Sequence, residues 1–292
     1  DLGSGRTATA IAAGSNHTCA ILDNASIKCW GSNASGQLGL GDTNNRGDAL
    51  DEMGNILSAV ELGSGRTAKA IAAGNQHTCA ILDNASVKCW GSNASGQLGL
   101  GDDSTVVRGD EPDEMGNLLP FVDLGSGRTA TSITTGTDYT CVLLDDASVK
   151  CWGNGIYGQL GNKKKGVSNV FNSTPEDNAI DLGDGINATA IAAGNFHTCA
   201  ILDNSSIKCW GFNASGQLGQ EDTSLIWSSS DLDNLLSVDL GAGRTARAIA
   251  AGDNHTCVVL DNASINCWGS NTAGQLGLGH TSNRGDNSSE MG

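Results

Sequence analysis

A unit of about sixty residues occurs five times in this chain, and every copy holds two cysteines ten positions apart. The first copy states it most plainly, as His17-Thr18-Cys19, then Cys29-Trp30-Gly31, then Gly36-Gln37-Leu38-Gly39. The Cys-Trp-Gly triplets begin at Cys29, Cys89, Cys151, Cys209 and Cys267, with spacings of 60, 62, 58 and 58 residues. Self-similarity at such a period marks a solenoid, a propeller or another array, in which each unit buries its apolar face against its neighbours. An Asp/Glu-Leu-Gly triplet at Asp1, Glu61, Asp123, Asp181 and Asp239 opens each copy. The expected units are therefore 1–60, 61–122, 123–180, 181–238 and 239–292 of a single repeat domain over 1–292, with no stretch left for a separate catalytic domain.

Within a unit the apolar runs are short and alternating, as at Ala68 to Ala73, His77 to Leu82, Ser86 to Gly91 and Leu118 to Leu124. No segment sustains a 3.6-residue apolar period long enough for a helix. Asp83-Asn84-Ala85-Ser86 joins two of the runs with turn residues, a hairpin signal. Four strands per sixty-residue unit is the pattern of a propeller blade, so the expected fold is all-β, a β-propeller of five four-stranded repeats. Asp1-Leu2-Gly3 matches the tail of the run at Leu118 to Gly125, and the last unit stops before that run recurs, lacking its fourth strand. A closed ring hides its edges. The expectation is therefore a part of a longer array, or an open arc that meets its own kind or neighbouring blades through its ends.

The string Ala12-Ala13-Gly14, His17-Thr18, Trp30-Gly31 and Gly36-Gln37-Leu38-Gly39 resembles the repeat of the regulator of chromosome condensation family, and the match recurs in all five units. The resemblance implies a β-propeller, commonly of seven blades, of which this chain is all or part. Members of that family include a nucleotide-exchange factor for a small nuclear GTPase, ubiquitin ligases, a UV-B photoreceptor and secreted inhibitors. The photoreceptor's Gly-Trp-Arg-His-Thr string is absent, since Ser15-Asn16, Asn75-Gln76, Asn195-Phe196 and Asp253-Asn254 precede the histidines here. The third unit departs most, with Tyr139 at the histidine position, Gly155-Ile156-Tyr157 in place of Asn33-Ala34-Ser35, and Lys163-Lys164-Lys165.

All ten cysteines fall in the same pattern: Cys19/Cys29, Cys79/Cys89, Cys141/Cys151, Cys199/Cys209 and Cys257/Cys267. Zinc knuckles space their ligands two to four residues apart, and no CxxC is present. If the hairpin turn is the three residues Asp23, Asn24 and Ala25, Cys19 lies opposite Cys29 and a cross-strand disulfide is allowed. A two-residue turn at Asn24-Ala25 instead pairs Cys19 with Trp30 and puts the sulfurs on opposite faces. Ala25 is a poor choice for the left-handed position that a three-residue loop wants. The complete pairing across copies favours five bridges and hence an oxidising compartment, extracellular or at the cell surface. Asn-x-Ser/Thr sequons point the same way as candidate glycosylation sites, at Asn16, Asn24, Asn33, Asn84, Asn93, Asn172, Asn187, Asn204, Asn213, Asn254, Asn262 and Asn287.

The charge balance narrows the partners. With 32 acids against 16 bases and a net charge of −16, the surface repels phosphate, which argues against nucleic acid. No apolar run reaches the length of a membrane helix. No catalytic set, cofactor motif or metal cluster stands out: four of the five histidines share one repeat position, as hydrogen-bonding struts would. The acidic loop from Asp42 fails the EF-hand pattern at Arg46. Arg-Gly-Asp recurs at Arg46, Arg108 and Arg284, resembling an integrin tripeptide. The expected function is a non-enzymatic binding or structural module, a disulfide-stapled extracellular propeller presenting long acidic loops to a protein or glycan. The alternatives are guanine-nucleotide exchange on a small GTPase, by resemblance, and a secreted enzyme inhibitor.

Overall fold

The computed structural model describes residues 1–101, 105–161, 179–226, 232 and 235–292. Among these, the regular elements are β-strands gathered into five separate three-stranded antiparallel sheets. Blade 1 consists of β1 (Ala8–Ala13), β2 (His17–Leu22) and β3 (Ile27–Gly31); blade 2 of β4 (Ala68–Ala73), β5 (His77–Leu82) and β6 (Val87–Gly91). Blade 3 holds β7 (Ala130–Thr135), β8 (Tyr139–Leu144) and β9 (Val149–Gly153), and blade 4 holds β10 (Ala188–Ala193), β11 (His197–Leu202) and β12 (Ile207–Gly211). Blade 5 closes the series with β13 (Ala246–Ala251), β14 (His255–Leu260) and β15 (Ile265–Gly269).

The expected fourth strand does not form. The run at Leu118 to Leu124 buries Leu119, Val122 and Leu124 but touches the third strand through a bond from Val122 N to Val87 O (2.9 Å), and Pro120 interrupts its donors. Val60, Ile180 and Val238 make the same contact in their blades. At the other end of the third strand, Arg46 pairs with Gly31, Arg108 with Gly91 and Arg284 with Gly269. Two loop contacts thus cover an edge that a fourth strand was expected to cover.

The hairpin between β2 and β3 is the three-residue version. Leu22 N donates to Ser26 O (2.9 Å) and Ala25 N to Leu22 O (2.8 Å), with Ala25 at φ 61°. A non-glycine residue in that region costs about 1–2 kcal/mol. Asn24 compensates by accepting from both Ser26 N (3.2 Å) and Ser26 Oγ (2.8 Å) through its Oδ1. The register follows: Ile21 faces Ile27, and Cys19 faces Cys29 at a Cα separation of 4.1 Å. This is the close, non-hydrogen-bonded type of pair. Cys79–Cys89, Cys141–Cys151, Cys199–Cys209 and Cys257–Cys267 are bridged in the same way, so all ten cysteines are in disulfides.

Alternation then gives every blade two faces. Cys19, Ile21, Ile27 and Cys29 point one way and pack on Ala80, Leu82 and Trp90 of the next blade. The same arrangement repeats between blades 2 and 3, 3 and 4, and 4 and 5. The core is therefore four layers between blades, each with a disulfide in it. The first strands of successive blades abut in the order β1, β4, β7, β10, β13, and β13 and β1 form no comparable contact. Ile265 of blade 5 is 67 % exposed, whereas its counterparts Ile27, Val87, Val149 and Ile207 are fully buried. The described blades form an open arc.

Candidate functional site

Each junction carries one polar lock inside its apolar layer. Between blades 1 and 2, Thr78 Oγ1 donates to Gln37 O (2.8 Å), the carbonyl that also accepts from Trp90 Nε1 (3.0 Å). With its hydrogen committed, the threonine oxygen accepts from His17 Nε2 at 2.8 Å. That assigns the neutral Nε2–H tautomer to His17. His77, Thr140, Gln97 and Trp152 repeat the lock at the next junction, and His197, Thr256, Gln217 and Trp268 at the fourth. At the third, Tyr139 replaces the histidine, with its hydroxyl 3.1 Å from Gly194 O and 3.1 Å from Thr198 Oγ1.

Burial dominates the chemistry of these rings. It pushes His17 down to about 4 and His77 and His197 down to about 3. The Nδ1 atoms of all three have no hydrogen-bond partner among the described residues, which fits struts rather than bases or ligands. The glycine before each ring leaves room for it: a Cβ on Gly14 would lie 2.5 Å from His17 Cε1. Sequence reasoning singled out the histidines and missed their partners. Thr18, Gln37 and Lys28 with their copies recur at fixed positions, and that recurrence was the available signal. The buried lysines are held by backbone carbonyls, Lys88 Nζ donating to Leu62 O at 3.1 Å and Lys208 Nζ to Leu182 O at 2.9 Å. Burial lowers the Lys88 ammonium.

The loops resolve several expectations. Leu38, Leu98, Leu160 and Leu218 of the Gly-Gln-Leu-Gly segments are buried plugs. In the first Arg-Gly-Asp segment Arg46 pairs with Asp42 (2.6 Å), and Gly47 N and Asp48 N both donate to Glu52 Oε2 (2.8 and 3.2 Å). Glu114 and Glu290 accept from Gly109 and Gly285 in the same manner. The tripeptide is a folded clasp and not an extended ligand. No group of three or more acidic, His or Cys side chains suited to a metal occurs among the described residues. No helix of the described residues is long and apolar enough to cross a membrane.

The sequons divide by position. Asn24, Asn84, Asn204 and Asn262 on the hairpin turns are exposed, as are Asn16, Asn187 and Asn287, and Asn254 is half-buried. Asn33, Asn93 and Asn213 are buried, and Asn33 Oδ1 accepts from Leu38 N (2.9 Å) while its Nδ2 donates to Asp42 O (2.7 Å). Asn172 and Lys163-Lys164-Lys165 lie outside the described residues.

One surface differs between blades. Tyr157, in the loop after β9, meets Phe196 of the β10–β11 turn (ring centroids 5.1 Å apart) and Phe212 after β12 (4.9 Å). All three are partly exposed. Beside them the turns of all five blades surround an axial cavity of about 200 Å³, lined by Ser15, Asn75, Thr137, Asn195 and Asp253 among others.

The profile of the regulator of chromosome condensation (RCC1) repeat matches residues 8–37, 68–97, 130–159, 188–217 and 246–275, and a second profile of that repeat matches 29–81 and 146–201. The ultraviolet-B receptor UVR8 of Arabidopsis thaliana is 27 % identical over 285 residues, covering 94 % of this chain and 56 % of the receptor. Protein pim1 of Schizosaccharomyces pombe is 28 % identical over 280 residues, 92 % of this chain and 48 % of pim1. The chain thus spans about half the length of these relatives. Among solved structures, yeast RCC1 (Prp20) bound to Kap60 superposes with a TM-score of 0.71 at 23 % identity, over 89 % of this chain and 55 % of that one. Human WBSCR16 gives 0.71 at 18 %, over 95 % and 65 %. With the repeat profile matched in every blade and the propeller arrangement shared, this chain belongs to the regulator of chromosome condensation repeat family.

Proposed function

We propose that this chain is a non-enzymatic binding module, a disulfide-stapled propeller arc that works outside the reducing cytosol and presents its loop surface to a protein or a glycan. The observation that carries the reading is the five cysteine pairs, one per blade, all bridged, with those of blades 1 to 4 buried in the layers between blades. Each bridge closes a short loop, which in the chain-entropy model stabilises by roughly 2–3 kcal/mol. A cytosol that keeps thiols reduced forfeits that contribution. The exposed ends suit neighbouring blades of the same repeat. Blade 5 offers His255 and the backbone of Gln275, and blade 1 offers Thr18 and Trp30, the two halves of the junction lock.

Thiol titration of the protein from its native source, in denaturant without reductant, is the test: no free thiol is expected, and ten free thiols overturn the reading. Prp20p of Saccharomyces cerevisiae, which shares the fold, has been characterised for its binding to Gsp1p and histones. Nucleotide exchange on a small GTPase is accordingly the second reading, and exchange catalysed by the fully oxidised chain would establish it in place of the first.

A further inference from the structure

The junction of blades 3 and 4 differs from the rest in a concerted way. Where Tyr157 stands, the other units have Ser35, Ser95, Ser215 and Ala273; where Phe196 stands, they have Asn16, Gln76, Asp138 and Asn254; where Phe212 stands, Ser32, Ser92, Asn154 and Ser270. The whole chain holds two tyrosines and four phenylalanines, so half of them meet at this one spot. They form an apolar island on a face otherwise made of small polar side chains.

Beneath this island lies a buried donor with no acceptor. Gln159 is fully buried and its Nε2 has no hydrogen-bond partner among the described residues. The orientation of the amide is settled, because Tyr157 N donates to Gln159 Oε1 at 2.9 Å. In other blades the same nitrogen has somewhere to go: Gln217 Nε2 reaches Asn254 Oδ1 (3.3 Å), and Gln97 Nε2 reaches Ser92 Oγ (3.4 Å) and Asp138 Oδ1 (3.5 Å). At blade 3 both outlets are closed. Phe196 takes the position of Asn254 and offers no acceptor, and Asn154, in the position of Ser92, turns its Oδ1 to Ile156 N (3.1 Å). Leaving a buried amide hydrogen unpaired costs stability, and an oxygen brought to it, such as a ligand hydroxyl, would recover it.

We propose that Tyr157, Phe196, Phe212 and Gln159 form a binding site for a neutral sugar, the end of a glycan. It deepens the reading of the chain as a binding module and rests on it. The chemistry divides between two parts of a pyranose. Its C–H face packs on an aromatic ring, and a hydroxyl oxygen accepts from Gln159 Nε2 once the partly exposed Phe196 side chain changes rotamer. Adjoining Asn195 and Thr137 line the polar axial cavity, where further hydroxyls find donors and acceptors. A patch of three rings is the size of a sugar residue or two and far smaller than the roughly 800 Å² that each partner commits to a stable protein interface. The net charge of −16 disfavours anionic glycans.

The intact, oxidised chain is titrated with neutral mono- and oligosaccharides of glucose, galactose, mannose and N-acetylglucosamine, followed by ligand-observed NMR and intrinsic fluorescence. At least one is expected to bind with a dissociation constant of about 10 mM or tighter, and Tyr157→Ala and Phe212→Ala are each expected to weaken it about tenfold or more. Phe196→Asn gives Gln159 the acceptor that Asn254 gives Gln217, so this variant is expected to melt higher and to lose the sugar. No binding to any sugar overturns the site, as does equal binding by Tyr157→Ala, or a patch that binds an apolar peptide and no sugar. Thiol titration is independent of all of these: a fully oxidised protein that binds no sugar removes the site and leaves the proposed function standing.

Discussion

Replacing Thr78 by valine removes one hydroxyl from a layer between two blades and keeps the shape of the side chain. That hydroxyl accepts from His17 Nε2 (2.8 Å) and donates to Gln37 O (2.8 Å). Gln37 O keeps Trp90 Nε1 at 3.0 Å, so its loss is partial. His17 is 3 % exposed and its Nδ1 already lacks a partner, so the valine would leave the whole imidazole unpaired in an apolar layer. An orphaned buried donor costs about 1–3 kcal/mol. Unfolding entropy of roughly 2.1 cal/mol/K per residue, over a chain of this length, makes about 2 kcal/mol a fall of roughly 3 °C in Tm. The control is Thr18→Val, the same change in blade 1, where no described blade packs on that face and the residue is half-buried; a change within about 0.5 kcal/mol is expected there for the chain of residues 1–292. Urea and thermal melts of both oxidised variants, with disulfides verified by mass, give the comparison. Equal destabilisation by the two would refute the lock, because it would show that the hydroxyl matters within its own hairpin and not across the junction.

Acid should weaken the arc through the same histidines. His17, His77 and His197 are neutral in the fold with values of about 4, 3 and 3 against 6.5 for the free side chain, so the unfolded chain binds more protons below 6.5. Stability is complete above that value and falls as pH drops toward 4, by up to about 1.4 kcal/mol per pH unit for each ring; a flat profile between 6.5 and 4 in urea melts, compared with the His77→Gln variant, would count against the buried neutral assignment. Ile265→Ala on the open face of blade 5 should cost under about 0.5 kcal/mol, while Ile27→Ala at the equivalent buried position should cost about 2–5 kcal/mol; similar costs would mean that blade 5 is covered. In protein recovered from a glycosylating secretory pathway, peptide mapping should find glycans confined to exposed sequons such as Asn24, Asn84, Asn204 and Asn262. Occupied Asn33, Asn93 or Asn213 would contradict the buried loop in which those amides are bonded.

Much of the architecture was legible in one dimension. The period located every blade, and the runs at Ala68–Ala73 and His77–Leu82 are strands with the expected bounds. The fourth strand was misjudged because the run from Leu118 to Leu124 is short and apolar, as a buried strand would be. A buried extended segment and a laddered strand share that apolar pattern, and only the partner's position separates them. The turn was ambiguous for a related reason, since the cost of left-handed Ala25 is visible in the sequence and the bonds from Ser26 to Asn24 that offset it are not.

The sequence by itself determined the repeat, the pairing of cysteines in number, the acidity and the family, because all of these are properties of order and composition. The tertiary structure decided which blade face meets which, that the histidines act through threonines some sixty residues away, and that three aromatic side chains from different loops converge over the unpaired Gln159 Nε2. Those facts concern neighbours across a junction, and neighbours in space are set by how the blades stack rather than by any stretch of chain read alone.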